Sequence, residues 1–378
     1  MPKHSYNTDN LLAFVVGGGV GASIAALLAS SSKKKACQPK LAVVGSIDFS
    51  PGAGIVNAAK LAVNRHNLAN PTRTVVLDVF NTSFDDDKLT AAAKKIIDDS
   101  NYIGVIGPVF TSDVLALQEK FEAAKLPSIT PSATNTALAQ QGWETFHRVL
   151  GNDDQQASGV VRLLKRDQRS RVAVVAEPGA YSQGLYDTVS DQLPVTDELQ
   201  FGSIAPDASD AAYDALAQKI MDSDADALFF AGFEVAAAKI TIALRKVGST
   251  AALYFVEGVL GDEYLERTGM LADGANVVSS AASPDSNPTF TALYRNSALG
   301  YGSDPTTYAA ETYDATNVFL DAIKDGKCSR EGTLEYLQTY DRPGVTKQIK
   351  FDANGEVEAN TVYVLTVIDG SFESNGTI

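Results

Sequence analysis

Basic charge is scarce in this chain of 378 residues: 31 Lys and Arg stand against 46 Asp and Glu, a formal net charge of −15. Nucleic-acid binding needs clustered cations, and the only cluster is Lys33, Lys34 and Lys35. A nucleic-acid partner is therefore excluded. Histidine is scarcer, with only His4, His66 and His147. None lies in a metal spacing such as H-E-x-x-H, and no G-x-S-x-G turn presents a serine nucleophile. The chain is read as no enzyme, with no metal and no cofactor. The single tryptophan, Trp143 in QQGWETFHR, is read as packing rather than binding. Two cysteines, Cys37 and Cys328, are too few for a disulfide framework. In an oxidising compartment they could pair, tying the start of the body to a late helix; the alternative is two unrelated thiols.

Long apolar runs are also rare. The only one is LLAFVVGGGVGASIAALLA at 11–29, long enough to span a bilayer as a helix. Lys3 and His4 precede it and Lys33–Lys35 follow it. Three readings stay open: an uncleaved anchor, a cleaved signal peptide, and a lipoprotein lipidated at Cys37. Each places the body outside the cytoplasm, on the periplasmic or extracellular face, with the membrane touched through this segment alone.

What is present is a regular alternation. After a linker-like stretch at 30–40, short apolar strands are expected at 41–47, 74–80, 102–107, 127–130, 171–177, 227–232, 253–258 and 276–282. They are β-branched and continuously apolar, as strands buried on both faces are. Helical patterns lie between them, such as 89–99, 112–125 and 209–223. This grammar predicts an α/β fold with parallel sheets. Two blocks are visible, at roughly 41–150 and 151–280, followed by mainly helical sequence. The last segment reads as two strands around the turn Asp352-Ala353-Asn354-Gly355. The final third makes no third doubly wound domain, so the chain must cross between lobes more than once.

Short apolar runs end in small hydroxylated residues followed by helical patterns. That puts Thr111, Ser112, Ser132 and Thr134 where strands hand over to helices. Helix N-termini carry unpaired N–H groups and the positive end of the dipole, which favour a carboxylate. Glu257 stands alone in FVEG after another apolar run. Hydroxyls plus one isolated carboxylate suit a zwitterion. The plainer alternatives are helix caps for Ser and Thr and an exposed loop position for Glu257.

Two glycine patterns raise a dinucleotide site. Gly17, Gly19 and Ala22 fit G-x-G-x-x-A, but no strand precedes them; Gly52 and Gly54 follow a strand, but Asn57 stands at the third position. A nucleotide-dependent oxidoreductase is disfavoured on both counts.

The motifs LAVVGSID, VIGPVFTSDV, LPSITPSATNTAL, QGWETFHRVLGND, YSQGLYD, FFAGF, FVEG and KFDANGE, in this order, resemble the periplasmic solute-binding proteins of the leucine/isoleucine/valine-binding type over about 38–370. The resemblance implies two α/β lobes of doubly wound parallel sheet, joined by a three-crossing hinge, with a ligand cleft between them. The expected lobes are 38–150 with 281–350, and 151–280 with 351–378, after a leader and linker at 1–37. The resemblance assigns the ligand carboxylate to Thr111, with Ser112, and to Ser132-Ala133-Thr134. It assigns the ammonium to Glu257 and a closing role to Tyr181. Phe233 matches an aromatic cleft position without its hydroxyl; a core role is the alternative. Phe49, Ser50 and Pro51 match a loop that touches the ligand side chain, although the loop is shorter here; Phe110, beside Thr111, is read equally as cleft or core. Asp153 and Asp154 fall near the first crossing. The implied function is capture of a branched-chain or other neutral amino acid for the permease of an ABC importer. A ligand-sensing receptor module of the same fold, or binding of an amide or urea-type solute, is the alternative.

Overall fold

The computed structural model describes residues 38–193, 196–283, 286–296 and 300–378, except for the Ser50 side chain. The apolar segment at 11–29 and Cys37 lie outside the described residues. Of the expected Cys37–Cys328 pair, only Cys328 is described, and it is not a free thiol. Among the described residues, no helix is long and apolar enough to cross a membrane.

The described residues begin with β1 (Lys40–Gly45), α1 (Ser50–Ala69), β2 (Val76–Asn81), α2 (Asp86–Asp98), β3 (Tyr102–Ile106), α3 (Thr111–Ala123), β4 (Ser128–Thr130) and β5 (Phe146–Arg148). The five strands form a wholly parallel sheet in the order β2-β1-β3-β4-β5. Next come α4 (Asp153–Arg166), β6 (Val172–Ala176), α5 (Ala180–Gln192), β7 (Gln200–Ser203), α6 (Asp210–Asp222) and β8 (Ala227–Ala231). They are followed by α7 (Glu234–Lys246), β9 (Ala252–Val256), α8 (Asp262–Thr268) and β10 (Asn276–Ser279). The remainder is α9 (Pro288–Arg295), α10 (Ala309–Lys324), α11 (Arg330–Leu337), β11 (Asp341–Pro343), β12 (Gln348–Lys350), β13 (Tyr363–Ile368) and β14 (Ser371–Thr377). The second sheet has the order β14-β13-β10-β9-β8-β6-β7; its pairings are parallel except that β13 runs antiparallel to both β10 and β14.

Continuously buried strands such as β3, β6 and β8 are covered by helices on both faces, which is why they read as unbroken apolar runs. The first core joins Leu41, Val43 and Ile103 to Phe319 and Leu320 of α10. Gly104 permits that approach, because a Cβ there would enter the Phe319 ring.

Core membership locates the crossings. Leu150 packs in the first lobe and Ala157 in the second. Val278 packs in the second lobe, and Ala281 is back in the first. Phe351 and Val357 still belong to the first core, and Val362 is the next residue in the second. The last crossing thus falls after Val357 instead of at 351. Arg148 is fully buried here: its Nε donates to Glu356 Oε2 at 2.7 Å and its Nη1 to the Asn135 carbonyl at 2.9 Å. A second bond joins Nη2 to Glu356 Oε1. This bidentate pair ties the first crossing to the approach of the third.

Two local readings are corrected. The turn at Asp352–Gly355 carries only an isolated bridge, Phe351 to Val357. The tail hairpin is β13–β14, turning at Asp369 (φ 49°) and Gly370 (φ 78°), a pair of left-handed residues suited to the twist of a two-residue hairpin. Strands β5 and β7 add to the expected set; FHR and QFGS are too short and too polar to announce themselves.

Candidate functional site

A cavity of about 580 Å³ lies between the lobes. Its lining comes from segments that follow the carboxyl ends of parallel strands: Phe49 after β1, Thr111 after β3, Ser132 after β4, Tyr181 after β6, Phe233 after β8 and Glu257 after β9. In open parallel sheets that edge is where loops are free to diverge and bind. Nothing in its lining clusters as a metal site: no group of three or more His, Cys, Asp or Glu able to hold a metal occurs among the described residues.

Ten of the eleven described α-helices sort by how they begin; α8, with Gly261 as its N-cap, has no side-chain cap and starts outside the lining. The N-cap residues Asp85, Asn152, Ser209, Asn287 and Ser329 each accept a hydrogen bond from their own first turn through the side chain. None of them lines the cavity. The N-caps of α1, α3, α5, α7 and α10 are Phe49, Phe110, Gly179, Phe233 and Tyr308; all five line it and none is capped by a side chain. Aromatic residues are poor N-caps. Here they leave positive helix ends uncapped beside the cavity and add rings to its wall. The rings touch in a chain across the cleft. Phe49 and Phe110 have centroids 5.0 Å apart, Phe110 and Phe233 6.1 Å, and Phe233 and Tyr181 5.4 Å.

Glu257 is 2% exposed. Its Oε2 accepts the Ser280 N–H at 2.6 Å and a bond from Gln156 Nε2, while its Oε1 has no partner. Burial raises its pKa to about 8, against the lowering effect of the Ser280 N–H; nearby Asp153 raises it further. The hydroxyl of Tyr181 is also buried without a partner. Glu177, by contrast, is engaged: Oε2 accepts the Phe233 N–H at 3.0 Å, and burial raises its pKa. The site therefore offers uncapped helix ends and hydroxyls from the first lobe, and an unsatisfied carboxylate from the second.

A model of the family described as periplasmic binding protein matches residues 42–371. The chain belongs to the periplasmic binding protein family. This binding protein is 25% identical to an amino acid binding protein of Pseudomonas aeruginosa over 283 residues, 72% of this chain and 74% of that one. It is 26% identical to Leu/Ile/Val-binding protein homolog 3 of Brucella melitensis over 312 residues, covering 77% and 84%. Its fold matches the crystal structure of a leucine binding protein of Thermotoga maritima with a TM-score of 0.76 and 26% identity, covering 90% of this chain and 98% of that one. A branched-chain amino acid transporter substrate binding protein of Streptococcus pneumoniae, solved with isoleucine, matches in fold with a TM-score of 0.80 at 21% identity, covering 90% and 99%.

Of the residues expected at the binding protein's site, Thr111, Ser112, Ser132, Tyr181, Phe233, Glu257, Phe49 and Pro51 line the cavity. Ala133 and Thr134 are not part of that lining. Thr130 Oγ1 accepts the Ala133 N–H at 3.0 Å and turns the segment inward, so Ala133 packs with Val114 and Phe146. Thr134 is buried, its carbonyl accepting the Asp153 N–H at 2.9 Å. Sequence reasoning did not assign Phe84, Glu177 and Tyr308 to the site, and it left Phe110 undecided between core and cleft. Glu177 had a usable signal, an acid directly after a buried parallel strand. Phe110 and Tyr308 had another, an aromatic residue at the position where a cap belongs.

Proposed function

We propose that this binding protein captures a zwitterionic neutral amino acid between its lobes and delivers it to the permease of an ABC importer. The observation that carries the reading is the unpartnered Oε1 of buried Glu257 at the cavity wall. A buried carboxylate oxygen without a partner is costly, and a ligand ammonium satisfies both its charge and its hydrogen bond. The ligand carboxylate is assigned to the uncapped start of α3, with Thr111 and Ser112. Tyr181 closes over the ligand with a hydroxyl that is likewise without a partner. The names of the relatives support the amino-acid class.

Ligand meets the first lobe and is enclosed as the second swings over it. Contacts that span the cleft, such as Asn135 Nδ2 to the Ala180 carbonyl at 2.8 Å and the Phe110–Phe233 ring pair, hold the closed form. The protein acts on the periplasmic or extracellular face. The segment at 11–29 either directs export or retains it at the membrane.

The test is thermal unfolding of the full chain against the common L-amino acids, urea, short amides and sugars. A ligand at 100 times its Kd adds about 2.7 kcal/mol. A shift with a subset of amino acids, abolished in Glu257→Ala, is expected. A shift with an amide or sugar and with no amino acid refutes the ammonium assignment.

A further inference from the structure

We infer that Phe84 is a specificity-determining residue of the cleft, and that the side-chain end of the site is built for an aromatic amino acid. The inference rests on the amino-acid reading above and narrows it. Phe84 lies on the loop between β2 and α2, lines the cavity, and is 67% exposed. An apolar ring left that open gains little from folding. Its backbone is strained as well: Ser83 has φ 50° and Phe84 φ 55°, two successive left-handed residues of which neither is glycine. For a bulky side chain that conformation is a true outlier, and it persists only where the surroundings impose it.

The surroundings do impose it. Ser46 Oγ accepts the Phe84 N–H at 2.6 Å, and lies 2.9 Å from Thr82 Oγ1. Asn81 Oδ1 accepts the Ile47 N–H at 3.2 Å and the Ser83 N–H at 3.1 Å, while its Nδ2 donates to Asp48 Oδ1 at 2.7 Å. Two loops are thus locked together, and the product is one ring set against the cavity. Phe84 packs on Phe110 with centroids 5.3 Å apart and planes tilted by 53°. Phe110 in turn meets Phe49 and Phe233. Folding stability alone gives no reason to hold a phenylalanine in this strained, open position. A ligand ring supplies the missing neighbour, because tilted ring pairs add specific attraction beyond the area they bury. Each such contact favours an aromatic side chain over an aliphatic one of similar size by about 2- to 10-fold.

The test is calorimetric titration of the full chain with L-phenylalanine, L-leucine and L-alanine, in the wild type and in Phe84→Gly. The wild type is expected to bind L-phenylalanine about tenfold more tightly than L-leucine. Phe84→Gly is expected to weaken L-phenylalanine about tenfold and L-alanine less than about twofold. Its unliganded thermal midpoint is expected to rise, because glycine relieves the left-handed strain. A merely structural Phe84 would instead lower the midpoint and weaken all three ligands alike. Wild-type L-phenylalanine binding no tighter than L-leucine, unchanged L-phenylalanine binding in Phe84→Gly, or a lowered midpoint overturns the inference while the amino-acid reading stands. Binding of none of the three overturns both.

Discussion

Amino-acid affinity should climb steeply with pH between 6 and 8, and Glu257 should be the cause. Burial holds its carboxyl at about 8, against an ordinary value of 4.5. An ammonium ligand pairs with the ionised form alone. At pH 6, two units below that value, about one molecule in a hundred carries the charge; at pH 8 about half do. The association constant should therefore rise about fiftyfold across this window, or about 2.3 kcal/mol. Binding at pH 6.5 should release close to one proton, which is counted by calorimetry in two buffers of different ionisation enthalpy. The ionisable groups facing Glu257 are Asp153, Tyr181 and Tyr308, and Lys347 also senses its charge. Asp153 is itself raised to about 7 by burial, so Asp153→Asn is the necessary control. Glu257→Gln keeps the volume and should flatten the profile, with affinity at pH 8 reduced by about 10- to 100-fold for loss of a charged hydrogen bond. A flat wild-type profile, or a slope that survives in Glu257→Gln, refutes the reasoning.

Without ligand the same groups act on stability in the opposite sense. Glu257, Asp153 and Glu311 have folded values of about 8, 7 and 7, above their ordinary 4.5, 3.8 and 4.5. The stability this confers is complete below the ordinary values and is lost as pH rises through the folded ones, so the urea midpoint of the empty protein should be lower at pH 8 than at pH 5. Arg148→Ala leaves Glu356 and two buried carbonyls without their donor, and should cost about 3–5 kcal/mol by urea unfolding. Gly355 has φ 77° and abuts the Phe146 carbonyl, so Gly355→Ala should cost about 2 kcal/mol or more by the same measurement. Asn135→Ala removes a bond that spans the cleft together with the acceptor of the Ala137 N–H; it should weaken ligand several-fold by titration and lower the unliganded stability by about 1 kcal/mol.

Most of the architecture was legible because buried parallel strands leave no choice of residue. VAVVA and ALFFA are interior on every side, so their apolar runs announce them. The edge strand QFGS faces solvent and carries no such mark. The site was half legible for a related reason. Thr111 and Glu257 follow strong strands, so their place at a strand's carboxyl end can be counted along the chain. Phe84 and Tyr308 reach the cavity through left-handed backbone, φ 55° and φ 67°, at positions where an L-residue is not anticipated. Thr134 is a different case: it lies outside the cavity lining, and its buried hydroxyl has no partner, which its place near a strand end does not foretell.

The bare helix starts around the cavity make the ligand a component of the fold. Five helices drawn from both lobes reach the cleft without side-chain caps. Glu177 reaches one of them, through the Phe233 N–H, and the others have no side-chain cap, so their first turns should be the earliest to fray. One small molecule seated among them serves as a shared terminus for elements that are otherwise separate. Occupancy should then be recorded as local order along the rims of both lobes, seen as slower amide exchange in those first turns.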